Sequence, residues 1–347
     1  MIDNVKKTQR DISLDYIRTV AMLMIVFCHF FQIINCLNLA FWLNTGVQIF
    51  LILSARLMYK KRFENWKQIL TFYKDKLIRI MLPVWIYLFA ICAVLLLIKY
   101  PLSIKAAIVY ALGGAAFIKS GVLGLGHFWY ISIILIAYIL VPVLSLFADR
   151  LKKAKLTAFI PVCIFALAFL VAIFYLVGNA SYGVNLGLFV ISYYVFSRYS
   201  DTENREKKMI KLIWLPTLVM IVARLLLEHF GVSEWKHYGV YDSVFVPICK
   251  SLLAFLVYSG IYVISSKTRC KWLDKIVLAV SAVSFEVYIT HQFIELAVYE
   301  YVPYCNSGTL LSGVLMLAVS AVLIIINTIA LRLAQKIVIK TVSVVKK

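Results

Sequence analysis

The feature that most constrains this chain is a series of apolar runs, several of them about 20 residues long. A helical run of that length crosses the ~30 Å hydrocarbon core of a bilayer. Mean hydropathy is +0.92, and 63% of the residues are hydrophobic against 15% charged, which excludes a soluble globular domain. The sequence therefore predicts an all-α fold, a polytopic membrane helix bundle.

We expect about ten transmembrane helices in a single membrane domain over residues 1–347, with no visible internal repeat. The predicted spans are roughly 16–37, 40–59, 80–98, 127–147, 158–177, 182–199, 212–230, 244–264, 276–300 and 309–331. The segment 103–120 is also apolar, but it is short, broken by Gly113-Gly114 and flanked by lysines. We predict that it is re-entrant or interfacial on the outer side.

The net charge of +20 would suggest a nucleic-acid partner in a soluble protein, but here its distribution follows the membrane. With ten spans and a cytoplasmic N-terminus, 29 of the 36 Lys and Arg residues lie in or beside the inner segments. This asymmetry is the positive-inside bias of membrane proteins. It predicts that both termini are cytoplasmic and that membrane lipids, rather than nucleic acid, surround the chain.

The seven cysteines are scattered singly, without a CxxC pair or a cluster with histidine. We therefore expect no disulfide framework and no metal site. The first span is too long for the core of a signal peptide and lacks a cleavage pattern at its end, so we interpret it as a membrane helix.

The first span contains a charged residue and a titratable one at a helical spacing. Arg18 and His29 are eleven residues apart, which places them on nearly the same helix face and ~16 Å apart along the axis. We expect Arg18 at the membrane surface, paired with Asp15, and His29 near the bilayer midplane. Arg18 alone fits a positive-inside anchor and His29 alone fits a helix-packing contact, but the aligned pair favours a functional site.

The basic loop 60–79 ends in Lys76 and Arg79, which are three residues apart and so point the same way before the third span. Such a pair suits phosphate groups, arginine by a bidentate fork and lysine as a point charge. Attraction to anionic lipid headgroups is the alternative for the loop as a whole.

A third polar group lies in the ninth span, where Tyr288, His291 and Glu295 follow Ser284 on one helix face. Since His291 and Glu295 are four residues apart, we predict that the carboxylate holds the imidazole. A structural polar contact is the alternative. At the start of the fourth span, Trp129 and Tyr130 are interfacial anchors by default, but both ring types also stack well on sugars.

Two weaker signals remain. Arg224 and Glu228 are four residues apart in the seventh span, and Lys250 of the eighth span could meet Glu228, which we interpret mainly as a charge cluster holding helices together. His237 and Asp242 match the short HxxxxD pattern of glycerolipid acyltransferases, but they lie in an outer loop without its surrounding context.

Together these segments resemble the integral-membrane acyltransferase-3 family, which acylates cell-surface glycans and related acceptors. The resemblance runs from about residue 10 to 295 in the family's order. It is carried by Leu14, Asp15, Arg18 and His29 (LDxxR and arginine-x10-histidine), Gly46–Ala55 (GVxxFFxLSG), Lys76–Arg79 with Pro83 (RxxR), His127 and Trp129 (hxW), and Tyr288–His291 (YLxH).

The chain also departs from the family pattern. Ala55 replaces the usual glycine of the second-span motif and is followed by Arg56, and Lys76 replaces an arginine. The second change keeps the charge but loses the bidentate fork. The resemblance nevertheless implies direct transfer by the membrane domain.

The resemblance implies an enzyme that moves an acyl group, most simply acetyl, from cytosolic acetyl-CoA to a hydroxyl of a surface polysaccharide or lipid-linked saccharide. It implies a bacterial plasma-membrane location. The resemblance implies that the phosphates are bound by Arg18, Lys76 and Arg79. It implies that His29 is the catalytic residue, as general base or acyl carrier, together with Arg18. The acceptor would be bound by Trp129, Tyr130, Tyr288 and His291, and these residues would be supported by Asp15, Ser54 and Glu295. An exporter of a polysaccharide or lipid-linked sugar, or a membrane sensor, is the alternative; visible internal repeats would favour the exporter.

Overall fold

The computed structural model of the chain describes residues 10–119, 121–153, 155–199 and 204–345. Every regular element in these residues is helical, which confirms the predicted all-α fold. The tail before Arg10 and part of the predicted inner segment 200–211 lie outside the described residues.

The helices follow one another with short connections. They are α1 (Ile12–Ile33), α2 (Leu37–Leu43), α3 (Gly46–Met58), α4 (Trp66–Leu97), α5 (Ile104–Ala111), α6 (Trp129–Lys153), α7 (Leu156–Leu176), α8 (Ala180–Arg198), α9 (Arg205–His229), α10 (Tyr238–Val240), α11 (Val246–Lys267), α12 (Lys271–Tyr301) and α13 (Leu310–Val345). A π-helical turn, Tyr241–Phe245, joins α10 to α11.

Each predicted span falls on one long helix or, for the second span, on the pair α2 and α3. Within the described residues, eight segments are long and apolar enough to cross a membrane, which confirms a polytopic membrane bundle. The other two predicted spans correspond to α8 and α12, so the number ten stays a prediction. In α8, 14 of 19 residues are buried, and a helix that faces protein rather than lipid tolerates polar residues.

The second predicted span is broken between α2 and α3, where the chain turns through Asn44 and Thr45. Gly46 then starts α3 directly against α1, because a Cβ at Gly46 would lie 2.6 Å from the carbonyl oxygen of Ala21. Small residues permit this close approach of membrane helices. The contact explains the glycine that opens the second-span motif.

The predicted loop 60–79 is wrong from residue 66 onward, because α4 begins at Trp66 and continues through the membrane segment. Asn65 starts this helix by accepting a hydrogen bond from the backbone N–H of Gln68, the usual N-cap contact. Just before it, Arg62 bonds to Asp149 at 2.8 Å, a contact that raises the pKa of the Arg62 guanidinium. The basic residues within 67–79 therefore lie on helix α4 rather than in a loop.

The segment 103–120 forms the eight-residue helix α5, which is only ~12 Å long and too short to cross a bilayer. Ser103 caps it, and the indole N–H of Trp85 in α4 donates to the carbonyl of Ala111 at 2.7 Å. This arrangement fits the predicted re-entrant or interfacial segment packed against protein.

Candidate active site

A cavity of about 730 Å³ lies near one end of the bundle, where α1 begins and where basic residues concentrate. We call this the inner end and the cavity the cationic cavity. Its lining includes Arg18 of α1, Lys76 and Arg79 of α4, and Arg332 of α13, against a single carboxylate from the described residues, Glu286. The excess of cations makes the cavity suited to an anion.

Arg18 is held at the cavity by α1 and α12. Its Nη1 atom lies 3.9 Å from Asp15 Oδ1 and 3.5 Å from Ser281 Oγ, so the predicted pair with Asp15 is present. Asp15 has closer partners, however: Arg10 at 2.7 Å and the Ser281 hydroxyl at 2.7 Å. Hydrogen bonding to Asp15 raises the pKa of Arg10. Because Asp15 is satisfied by others, Arg18 keeps donors for a ligand.

The remaining cations reach the cavity from two helices. The Lys76 ammonium lies 4.6 Å from the centre of the Tyr138 ring, a cation–π distance, while Arg79 is exposed. Arg332 donates to Glu286 Oε1 at 3.3 Å and to the Ala282 carbonyl at 2.8 Å. From the sequence, Arg332 is only one of the basic residues of the inner segments, since no pattern along the chain links α13 to α4.

Two tyrosines separate the cationic cavity from the next group of polar residues. Tyr130 and Tyr288 both line the cavity, with ring centres 5.5 Å apart, and we call them the tyrosine wall. Ser54 lines the same cavity. Tyr130 also packs toward Phe50 of α3, with ring centres 6.3 Å apart.

Three histidines lie together beyond the tyrosine wall, and we call them the histidine cluster. The ring centres are 4.7 Å apart for His127 and His291, 5.2 Å for His29 and His291, and 5.9 Å for His29 and His127. Tyr288 touches the cluster, since its ring centre is 5.0 Å from that of His127 and its hydroxyl donates to the His127 carbonyl. In the described part of the chain, no group of three or more His, Cys, Asp or Glu residues is arranged to hold a metal ion.

Hydrogen bonds set which imidazole nitrogens carry protons. Gln292 Oε1 accepts from the backbone N–H of His127 and lies 2.6 Å from His127 Nδ1, so that nitrogen is the donor. His291 Nδ1 faces the Tyr288 carbonyl at 2.8 Å and is also a donor. The Nε2 atoms of His127 and His291 have no hydrogen-bond partner among the described residues. In both neutral rings Nε2 therefore presents a lone pair.

His29 has a choice of partners that the other two rings lack. Its Nδ1 lies 2.8 Å from Gln32 Oε1, to which it can donate, and 3.2 Å from Gln292 Nε2, from which it can accept. One nitrogen cannot do both at once. When Nδ1 donates to Gln32, Nε2 of His29 is free to take a proton. Gln292 was not among the predicted residues, although it directly follows His291.

His127 enters the cluster from the loop before α6 because that loop presses against α12. Gly124 has a φ of +69°, and a Cβ there would lie 2.7 Å from the Cα atom of Phe293. Only glycine combines this backbone conformation with so close an approach. His127 matched the family's outer motif but was not predicted as a site residue, since its place depends on this contact.

His29 lies farther from the middle of α1 than predicted. The helix begins at Ile12, capped by Asp11, and ends at Ile33 before Asn35 turns with a φ of 60°. Arg18 is therefore ~9 Å from the inner end of α1 and His29 ~6 Å from its outer end. The predicted spacing between the two residues holds, but both positions shift outward along the helix.

The predicted contact between His291 and Glu295 is wrong. His291 Nδ1 faces carbonyl oxygens of the preceding turn, and within residues 10–119, 121–153, 155–199 and 204–345 neither His291 Nε2 nor the buried Glu295 Oε2 has a hydrogen-bond partner. Trp129 is half-buried and stacks on Tyr182 of α8, with ring centres 5.3 Å apart and an angle of 20°. Trp129 is not among the residues that line the cationic cavity, and its role on the acceptor side stays a prediction.

A protein-family model matches nearly the whole chain. The Acyl_transf_3 model, described as an acyltransferase domain, matches residues 11–329. No curated protein shows significant similarity to the chain. No solved structure does so either. The matched range contains the cationic-cavity residues Arg18, Lys76 and Arg79, together with the whole histidine cluster, but ends before Arg332. The chain belongs to the acyltransferase-3 family and is an integral membrane acyltransferase.

Proposed function

We propose that the protein transfers an acetyl group from cytosolic acetyl-CoA to a hydroxyl of a surface polysaccharide or lipid-linked saccharide of a bacterium. One observation carries the proposal: the cationic cavity, the tyrosine wall and the histidine cluster follow one another through the bundle. A site for an anionic donor and a set of general bases thereby lie on two sides of one aromatic layer.

The donor side of the proposal rests on charge. The phosphates of coenzyme A are strong acceptors, and arginine and lysine are the side chains that bind them best. Arg18, Lys76, Arg79 and Arg332 supply these groups around one cavity. With the phosphates at the cations, the pantetheine arm would extend toward the tyrosine wall and carry the thioester to the histidine cluster.

The chemical step requires one proton transfer in each direction. The acceptor hydroxyl oxygen attacks the thioester carbonyl carbon, a C–O bond forms and the C–S bond breaks. Nε2 of His29 takes the hydroxyl proton when Nδ1 donates to Gln32, and the departing thiolate recovers that proton. Alternatively, His29 carries the acyl group itself before passing it on. Trp129, stacked on Tyr182, is the proposed platform for the acceptor sugar.

The test compares surface glycans by mass spectrometry in cells that express the wild type, His29→Ala or the control His237→Ala. His237 is exposed and outside the cluster, so its loss should leave acetylation unchanged. His29→Ala should remove the acetyl increment while expression persists. Wild-type acetylation in a well-expressed His29→Ala variant would contradict the mechanism. An exporter would instead require loss of the surface glycan itself.

A further inference from the structure

A second group of cations lies outside the proposed reaction path. Arg224 of α9 and Lys250 of α11, here called the outer cation pair, are 7% and 8% exposed. Both approach the same ring: Arg224 Cζ is 3.5 Å and Lys250 Nζ 4.0 Å from the centre of Phe41. The two charges are therefore within about 8 Å of each other.

Among the described residues, the carboxylates around this pair balance Arg224 at contact distance but not Lys250. Glu228 pairs with Arg224 at 2.5 Å, while Lys250 makes its contact with the Phe41 ring. Asp242 interacts electrostatically with Lys250 but is itself exposed. Holding α9 in place needs one ion pair, and a second buried cation beside it costs free energy unless an anion is present. The arrangement thus favours a ligand over a purely structural role.

The position where such an anion would bind is occupied by the carboxylate of Glu228. Glu228 Oε1 forms an ion pair with Arg224 Nη2 and accepts a hydrogen bond from the Tyr241 hydroxyl at 3.2 Å. The Glu228 side chain is 40% exposed, whereas that of Arg224 is 8% exposed. Arg224 Nε is buried and has no hydrogen-bond partner in the part of the chain that the structure describes. An incoming oxyanion can therefore replace an exposed carboxylate and use donors that are already in position.

The outer cation pair lies on helices that pack beside the helix of His29, since α11, which carries Lys250, packs against α1. Cys28, the neighbour of His29, interacts electrostatically with both Lys250 and Glu295. Glu295 lies one turn beyond His291 on α12. A ligand held by the pair would thus bind beside α1, the helix that carries His29.

We propose that the outer cation pair binds an oxyanion, a phosphate or carboxylate group, carried by the acyl acceptor. That the oxyanion belongs to the acceptor rests on the proposed function, whereas the binding site itself does not. A sugar carboxylate and the pyrophosphate of a lipid-linked saccharide share this chemistry. Glu228 is then the resident competitor that leaves when the acceptor arrives.

The test measures binding of inorganic pyrophosphate and of glucuronate by calorimetry with the full chain in detergent. All variants carry Lys76→Gln and Arg79→Gln, which lowers the charge of the cationic cavity and keeps its remaining contribution to binding the same in every protein compared. Adding Arg224→Gln with Lys250→Gln should weaken binding at least about tenfold, because two charge-assisted contacts are lost.

Two further variants separate this proposal from a structural role. Glu228→Gln should tighten binding several-fold, because it removes the competing charge, whereas a helix-holding salt bridge predicts only lower thermal stability. Lys236→Gln, an exposed outer lysine, is the matched control and should change nothing. If the double variant does not fold, Glu228→Gln decides alone.

The two probes also identify the source of the oxyanion. Tighter binding of pyrophosphate supports a lipid-linked acceptor, and tighter binding of glucuronate supports an acidic sugar. Equal affinities in the parent, Glu228→Gln and Arg224→Gln/Lys250→Gln proteins would overturn the proposal. Since the assay contains no acyl donor, failure of the acetyl-transfer proposal would leave its result intact.

Discussion

Replacing Lys76 and Arg79 together with glutamine should weaken acetyl-CoA binding about thirtyfold. A charge-assisted contact to phosphate is worth roughly 1.5–3 kcal/mol when desolvated. Lys76 is half-buried against Tyr138, so we expect it to contribute about 1.5 kcal/mol to the binding free energy. Arg79 is exposed, so we expect it to contribute about 0.5 kcal/mol. The sum of about 2 kcal/mol corresponds to a factor of about 30 in the dissociation constant.

The matched control is Lys67→Gln with Lys74→Gln. These lysines are exposed on the same helix, do not line the cationic cavity, and remove the same charge. Calorimetry in detergent, repeated at two salt concentrations, compares the two double variants with the wild type. If both lose affinity equally, the contacts to Lys76 and Arg79 are not specific. Residues 67–79 would then serve the lipid headgroups instead.

Two other perturbations test the packing and the orientation of the bundle. Gly46→Ala should lower the melting temperature and the transfer rate, because overpacking against α1 costs about 1–3 kcal/mol. The control Gly260→Ala should be tolerated, because a Cβ at Gly260 would have no neighbour within 4 Å among the described residues. Cysteines placed at Lys67 and at Tyr304, with every native cysteine replaced by serine, should label from opposite faces of intact cells. Labelling of both from one face would refute the assigned topology and the through-membrane path.

Local spacing along the helices predicted part of the site, and contacts between distant segments account for the rest. Arg18 and His29 share one helix face, so their alignment follows from the helical repeat alone. Arg332 and Gln292 join the site through the packing of α13 and of the Gly124 loop, which no pattern along the chain specifies.

Side-chain orientation was the least predictable property of the site. The i,i+4 spacing allowed a pair between His291 and Glu295, but carbonyl groups of the preceding turn accept the hydrogen bond from the imidazole N–H instead. Helical spacing shows which residues share a face, while their rotamers depend on neighbours from other helices.

The tyrosine wall has a consequence for how a membrane potential would be distributed through this protein. On the inner side the cationic cavity opens among charged groups, and on the outer side the histidines begin, with ring centres of Tyr288 and His127 only 5.0 Å apart. If water reaches both sides, most of the voltage falls across this single aromatic layer rather than across ~30 Å of hydrocarbon. A proton crossing it would then experience about 2.3 kcal/mol per 100 mV. A neutral acyl group would experience none, so acyl transfer need not discharge the cell.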